Sequence, residues 1–389
     1  MTRINYLLLG VMFLAWLGMS CFFPYVIPMF NLKMGVTSSF IGFYMGMGVF
    51  LGNISSLFLS LRTKVNYERN LLVLSLCCFI LSVSSFLFPC IIVDNYFKFL
   101  WILLFASVYR FSCGIYFNAS RALQISTIAD EIERLKLLSY IKVVNSVAVG
   151  LGPIIGCYAI KSGGYNRLNL ISLIFFSLAF IMLLFIRNKK TININKLKLQ
   201  SEKRNFTFYL VCVAAMLHFI FEAQIYSYMT MRLIKNNHTL LVPTLFTVNA
   251  ITLISLGVVM SKFTHFMKKN IYLIIFGSSM SVISILLINF AQTNSFVIIV
   301  SILFSIGEFL TPQLTLDLVS NVGKSKLANI SIFNFLTSGI GFGLGFFIGG
   351  IMLDFKRVYY SFITLGLIYL VLAFLFLIVK KNINKLETA

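Results

Sequence analysis

Long apolar runs, separated by short basic islands, constrain the fold of this chain more than any other feature. A membrane-spanning helix needs roughly 20 apolar residues, and twelve runs reach that length. They lie near residues 5–30, 39–61, 71–92, 99–127, 138–161, 169–186, 207–229, 242–261, 271–290, 295–320, 329–353 and 359–379. Because the runs are continuous and do not alternate, they predict helices and not a barrel. We expect an all-α polytopic membrane protein with 12 transmembrane helices.

The distribution of charge predicts membrane topology and argues against nucleic-acid binding. Hydrophobic residues make up 59% of the chain and charged residues 11%, whereas soluble domains carry about 25% charged residues. If the amino terminus is cytoplasmic, 21 of the 32 lysines and arginines fall on the cytoplasmic side of the runs. Excess Lys and Arg marks that side, so both termini are expected to be cytoplasmic. The net charge of +21 then attracts anionic lipid and not nucleic acid.

Motifs for enzymatic or metal chemistry are missing from the sequence. It contains no phosphate loop with the full spacing Gly-x-x-x-x-Gly-Lys-Ser/Thr, no His-Glu-x-x-His site and no convincing Ser/His/Asp set. The seven cysteines all fall in apolar runs without metal-ligand spacing, where a free cysteine behaves as a small hydrophobe. We therefore expect no enzyme activity, no cofactor, no metal site and no disulfide framework.

A repeated glycine motif predicts that the chain is duplicated. Residues 150–156 read Gly-Leu-Gly-Pro-Ile-Ile-Gly, and residues 343–349 read Gly-Leu-Gly-Phe-Phe-Ile-Gly. Small residues let helices approach closely in lipid, and such a repeat in the two halves is typical of duplicated transporters. The longest polar island lies between the two copies. The prediction is two pseudo-symmetric six-helix bundles, 1–186 and 207–389, joined by a cytoplasmic linker, 187–206.

Several short motifs carry a family resemblance. Helix 1 ends in Phe-Phe-Pro-Tyr-Val-Ile-Pro (22–28), helix 4 carries Arg-Phe-Ser-Cys-Gly (110–114), and helix 5 carries Gly-Pro-Ile-Ile-Gly (152–156). These resemble the opening, the Arg-x-x-x-Gly motif and the antiporter motif of the major facilitator superfamily, specifically its twelve-helix drug:proton antiporter branch. Cys157 stands where the antiporter motif has its second glycine. Glu222 after Phe221, and Glu308 after Gly307, are similar to acidic positions in quinolone-type exporters.

The resemblance implies a function. It implies a secondary active transporter of a bacterial inner (plasma) membrane, which exports small amphipathic or cationic compounds in exchange for protons by alternating access. Its partners would be membrane lipid, a small-molecule substrate and protons, and we expect a monomer. The loop after helix 2 departs from the family pattern Gly-x-x-x-Asp-Arg-x-Gly, because residues 59–69 lack the aspartate and the glycines. The alternatives are an exporter of a defined metabolite or siderophore, a nutrient or lipid transporter of the same fold, a membrane sensor, and an intramembrane enzyme.

Ionisable residues inside the membrane are expensive and are functional candidates by default. Glu222 has His218 four residues earlier on the same helix face, and Glu308 precedes Pro312, which removes a backbone hydrogen bond. A buried carboxyl group can take up and release a proton near neutral pH. We predict that both glutamates, with His218, couple transport to protons. The alternatives are a structural His218–Glu222 hydrogen bond and a Glu308 satisfied by a hydroxyl of a neighbouring helix.

Three further charges lie within the predicted helices. Arg110 keeps its charge and resembles the family residue thought to assist proton transfer, although it could instead bind backbone carbonyls. Arg121 and Asp317 lie at similar depths in the two halves, so we hypothesise an ion pair that closes the cytoplasmic gate. The alternative is that both extend to the membrane interface, as we expect for Lys142.

The resemblance also assigns gating to the helix 5 motif, where Gly152, Pro153 and Gly156 would form the bend that controls access. The second copy of the repeat would be its packing counterpart. Six aromatic residues are candidates to line an apolar substrate cavity or to hold a cation over a ring face; taken singly, each is better explained as core or lipid-facing. They are Tyr25, Tyr44, Phe111, Tyr116, Phe221 and Tyr226.

Overall fold

The computed structural model of the protein describes residues 3–34, 36–62, 68–85, 95–126, 131–186, 206–261, 271–321, 332–354 and 359–387. All regular elements in these ranges are helical, and they include no strand. Within the described residues, eight helical segments are long and apolar enough to cross a membrane. The prediction of an all-α polytopic membrane protein is therefore confirmed. The count of 12 transmembrane helices and the cytoplasmic position of the termini stay predictions.

The chain forms two compact units, the first of which comprises Met1–Val36 and Met47–Leu197. Its helices, some followed by a short 3-10 turn, are α1 (Arg3–Phe22, then the turn Phe23–Tyr25), α2 (Val26–Met34), α3 (Ser38–Arg62, whose first residues belong to the second unit), α4 (Glu68–Ser85), α5 (Asn95–Ser126) and α6 (Glu131–Leu184). The long α6 is interrupted at Gly163 and Gly164, where φ of Gly164 is +67°. A positive φ is available to glycine at little cost. Two predicted apolar runs, 138–161 and 169–186, thus meet at a double-glycine break.

The second unit comprises Thr37–Gly46 and Lys198–Ala389. Its elements are α7 (Phe206–Glu222, then the turn Ala223–Ile225), α8 (Tyr228–Lys235), α9 (Leu241–Ser261), α10 (Ile271–Leu287, then the turn Ile288–Phe290), α11 (Asn294–Asn321), a π-helical segment (Phe335–Gly341), α12 (Phe342–Asp354) and α13 (Tyr359–Glu387). The predicted boundaries 1–186, 187–206 and 207–389 stay predictions, since most of the linker lies outside the described residues.

The surface of both units is rich in large exposed apolar side chains. Leu81 and Tyr158 in the first unit are 56% and 68% exposed, and Ile251 and Phe374 in the second are 58% and 63% exposed. Soluble monomers rarely expose large contiguous apolar patches, whereas lipid is as apolar as leucine. These helices therefore present the outer surface of a multi-pass membrane protein.

The interior of the first unit is built from stacked aromatic rings. Phe79 of α4 stacks on Phe176 of α6 with ring centroids 4.7 Å apart, and Tyr109 of α5 packs on Phe79 at 5.1 Å. Among the described cysteines, Cys21 and Cys113 are buried in this unit, whereas Cys77 is exposed. Cys90 lies outside the described residues. The ring contacts of Tyr109 hold α5 in place in this core, and α5 carries Arg110.

Candidate functional site

The first copy of the glycine repeat lies in α6 and packs closely against α1 and the turn that follows it. A side chain at Gly152 would collide with Ser20, and one at Gly156 would collide with the ring of Tyr25. The hydroxyl of Tyr25 donates to the backbone carbonyl of Pro153 at 2.8 Å. The small residues therefore permit a backbone approach that larger residues would prevent.

The second copy forms the same kind of contact inside the second unit. A side chain at Gly345 would collide with Ala223, and one at Gly349 would collide with Ser227 and Gln224. Gln224 Nε2 donates to the carbonyl of Gly345 at 2.9 Å. Each copy thus packs against the turn that follows the first helix of its own unit. The gating roles assigned to the first copy stay predictions.

A hydrogen-bonded chain of side chains joins three helices of the second unit. His218 of α7 is fully buried, and its Nδ1 lies 3.1 Å from Ser278 Oγ of α10. Ser278 Oγ is 3.3 Å from Thr311 Oγ1 of α11, and Thr311 donates its proton to the carbonyl of Ile274 at 3.2 Å. Because each hydroxyl has one proton, Ser278 must donate to Thr311 and accept from His218. The chain therefore requires a proton on Nδ1.

The other ring nitrogen of His218, Nε2, is buried and has no hydrogen-bond partner among the described residues. With Nδ1 bonded to Ser278, His218 and Glu222 are not joined by a hydrogen bond. The structural His218–Glu222 bond considered from the sequence is thus replaced by a bond to another helix. Sequence spacing predicted a shared helix face but could not show which neighbouring helix supplies the partner.

Glu308 is bound by an asparagine that sequence reasoning missed. Asn249 of α9 is 2% exposed, and its Nδ2 donates to Glu308 Oε2 at 2.6 Å and to Ser305 Oγ at 3.1 Å. An amide of another helix therefore binds this carboxylate. No local signal identifies Asn249, because a neutral amide in an apolar run is common and its partner lies on a helix distant in sequence.

Each of the two glutamates follows or precedes a residue of this hydrogen-bonded chain by one helical turn in the sequence. Glu308 is three residues before Thr311, and Glu222 is four residues after His218, so each carboxylate lies one helical turn from a member of the same chain. Helices α7 and α11 are in direct contact. We call His218, Asn249, Ser278, Glu308 and Thr311 the polar cluster. Within the described residues, no group of three or more metal-ligating side chains accompanies it.

Arg110 belongs to the first unit, where it is 2% exposed. Its guanidinium carbon lies 3.3 Å from the centroid of the Phe23 ring, which is a cation–π arrangement. Gly48 of α3 allows this packing, because a side chain there would collide with Arg110 Cβ. The structure thus places the predicted coupling arginine at the turn after α1, within the unit that does not contain the two glutamates.

The predicted cavity aromatics fall into two groups. Three of them are fully buried, namely Tyr25, Tyr116 and Phe221. The other three are partly exposed, namely Tyr44, Phe111 and Tyr226. The Tyr116 hydroxyl contacts the sulfur of Met12 at 3.0 Å, so Tyr116 packs as core. Tyr226 lies one turn after Glu222 and packs against Phe246 and Phe342 at 5.4 and 6.1 Å. The predicted role of these aromatic residues in a substrate cavity stays a prediction.

The proposed gate charges cannot be located. Arg121 lies in α5 and Asp317 in α11, but their side chains lie outside the described residues, as does that of Lys142. The ion pair between Arg121 and Asp317 therefore stays a prediction.

Comparison with known proteins gives a consistent family and fold. Residues 8–338 match the family model described as Major Facilitator Superfamily. No curated protein matches the chain. Among solved structures, a POT family transporter in complex with a thioalcohol-conjugated peptide is similar with a TM-score of 0.77 and 12% identity, covering 98% of this chain and 96% of that one.

Two further structures have the same fold. The nucleoside transporter NupG is similar with a TM-score of 0.70 and 13% identity, over 97% of this chain and 100% of that one. A bacterial homologue of the human lysosomal transporter Spinster, inward-facing and occupied, gives a TM-score of 0.70 and 13% identity, over 97% and 96%. At these identities the likeness shows the fold alone.

Proposed function

This chain belongs to the Major Facilitator Superfamily, a family of secondary transporters, and we propose that it exports small amphipathic or cationic compounds in exchange for protons. It would do so by alternating access, as a monomer with 12 transmembrane helices in two six-helix bundles, in the inner membrane of a bacterium. The resemblance of the helix 5 motif to the antiporter motif supports this direction of transport.

The observation that carries the proposal is the position of the two glutamates in the second unit. Glu308 belongs to the polar cluster and is bound by a buried amide, and Glu222 ends α7 one turn from His218. A carboxyl group in a membrane interior is costly to keep without a function. Two such groups beside one hydrogen-bonded chain can bind either a proton or a cation.

The exchange follows from charge. In the deprotonated state a glutamate attracts a cationic substrate, and Tyr226 provides a ring that can contact its apolar part. When the proton binds, the negative charge is lost and the cation is released. Because both ligands compete for the same oxygen atoms, the transporter carries one of them in each direction.

A second candidate is proton-coupled uptake of a polar nutrient. One solved structure of this fold is a nucleoside transporter, and another is a POT family transporter in complex with a conjugated peptide. His218 Nε2 and Ser281 Oγ are buried polar atoms without a described hydrogen-bond partner, and such atoms favour a polar ligand or an ordered water. Uptake would need the same glutamates but a different substrate.

Reconstituted vesicles with an imposed pH gradient test the proposal. We expect lipophilic cations to move against the proton flux, and we expect Glu308→Gln and Glu222→Gln to abolish this coupling because glutamine cannot carry a proton. Glu387→Gln, near the end of α13, removes a carboxylate outside the polar cluster and should leave transport unchanged.

The same vesicles separate the two candidates. Nucleosides and small peptides that move with the protons, in place of cations that move against them, would support uptake. Transport that is unchanged when the gradient is dissipated would contradict proton coupling altogether.

A further inference from the structure

We propose that Asn249 is a positioning residue that sets the pH range in which Glu308 exchanges a proton for a cation. The inference rests on the proposed function, because it takes Glu308 as a coupling carboxylate. It adds a residue of α9 to the machinery, namely a donor that stabilises the charged form of the carboxylate.

The orientation of the Asn249 amide is fixed by its neighbours. Ser305 Oγ donates its proton to the carbonyl of Ser301 at 2.7 Å, so it accepts from Asn249 at 3.1 Å. Only the amide nitrogen can donate. Nδ2 is therefore the atom that faces Ser305, independently of Glu308, and its second proton is directed to Glu308 Oε2 at 2.6 Å.

The position of α9 against α11 is fixed one turn earlier as well. Ser301 Oγ donates to the carbonyl of Leu245 at 2.6 Å. Asn249 itself is 2% exposed. Its amide is therefore held at one end by the backbone of α9 and at the other by the contact with Ser305. A donor that is held before the ligand arrives stabilises charge without having to reorganise.

A fixed N–H donor has two consequences for Glu308. First, Oε2 is the oxygen that accepts this bond from Nδ2. Second, a hydrogen bond to the charged form of a carboxyl group favours that form. Asn249 therefore favours the charged carboxylate, which is the form that binds a cationic substrate, over the neutral acid.

The test measures exchange of labelled for unlabelled tetraphenylphosphonium, a lipophilic cation, in reconstituted vesicles that have the same pH on both sides, over a series of pH values. Asn249→Leu keeps a similar volume but removes the donor. We expect its midpoint for proton inhibition to move to higher pH by about one unit. At neutral pH the KM should rise by up to about tenfold, whereas kcat at high pH should stay near that of the wild type.

Two further variants keep the proposal testable if Asn249→Leu fails to fold. Asn249→Gln retains an amide and should restore part of the wild-type midpoint. Asn249→Asp places a second carboxyl group beside Glu308, and such a pair retains a shared proton to higher pH; its midpoint should rise above that of the wild type. The matched control is Asn289→Leu, which removes an amide that binds Leu286 and Tyr228 and no carboxylate.

The outcomes separate this inference from the proposed function. If Glu308→Gln keeps the wild-type pH dependence, Glu308 is not a coupling carboxylate and the proposed site is wrong. If Glu308→Gln loses that dependence but the folded Asn249 variants keep the wild-type midpoint and KM, only the role of Asn249 is overturned. An equal shift in Asn289→Leu would also overturn it, because the effect would then be structural.

Discussion

Arg110 and Glu308 carry opposite charges in apolar surroundings, and each is held by a neutral side chain from a different element of its own unit. The ring of Phe23 faces the guanidinium of Arg110 at 3.3 Å, and the amide of Asn249 binds the carboxylate of Glu308. Removing the partner of a buried charge costs more than removing an exposed contact, because water does not replace it. These neutral partners are therefore sensitive positions for mutation.

Phe23→Leu should destabilise the protein through Arg110. Leucine keeps an apolar side chain but removes the aromatic face, and a desolvated cation–π contact is worth about 2 kcal/mol. We expect a lower melting temperature in detergent and weaker transport. Phe23→Tyr retains the ring and should stay close to the wild type. If Phe23→Leu and Phe23→Tyr behave alike, the cation–π contact does not contribute measurably.

The sequence identified the charged members of the site but not the neutral ones. Arg110, Glu222 and Glu308 could be selected because charges are rare inside apolar runs. Asn249, Ser278 and Thr311 could not, because hydroxyl and amide side chains are common in such runs and many bond to their own helix, as Ser255 does to the carbonyl of Ile251. Which of them crosses to another helix depends on packing.

At the scale of elements, both units use glycines at one kind of contact. In each, a glycine-rich helix approaches the turn after the first helix, Phe23–Tyr25 in one and Ala223–Ile225 in the other.

The first turn was predictable in outline, because Pro24 disfavours a regular helix. The second contains neither proline nor glycine, so only tertiary packing explains it. The break in α6 had a sequence signal in Gly163-Gly164, whereas the π-helical segment Phe335–Gly341 had none that we recognised.

Gly152→Val should abolish transport while the protein still inserts into the membrane. The added side chain would collide with Ser20 in α1, and Gly345→Val would collide with Ala223 in the corresponding helix. Both variants separate helices that must pack closely. Transport in vesicles and the amount of protein in the membrane measure the two effects separately.

Gly366→Val is the matched control, because a side chain at Gly366 meets no atom within 4 Å. It should transport like the wild type. Unchanged transport in Gly152→Val and Gly345→Val would mean that the helices can move apart without loss of function. The repeat would then be ordinary packing and not part of gating.

At the scale of the whole molecule, the fold was predictable because the bilayer leaves few alternatives. A long apolar run must form a helix to satisfy its backbone, so element type follows from composition. The substrate was not predictable, because a fold of this family supports many of them and selectivity depends on a few side chains brought together by packing. All five residues of the polar cluster belong to the second unit. The repeated glycine motif predicted two similar halves and did not by itself indicate this difference between them.

The distribution of basic residues over all the predicted runs makes a prediction that no single residue makes. With 21 of the 32 basic residues on one side of the predicted runs, that side should be cytoplasmic and should include both termini. A fluorescent protein fused after Ala389 should therefore fold and fluoresce in the cytoplasm. An epitope inserted at Asn237, an exposed residue between α8 and α9, should be reached by antibody only from outside the cytoplasm. A dark fusion together with an epitope reached from the cytoplasm would reverse the topology. The basic islands would then need a function other than setting the orientation of the helices in the membrane.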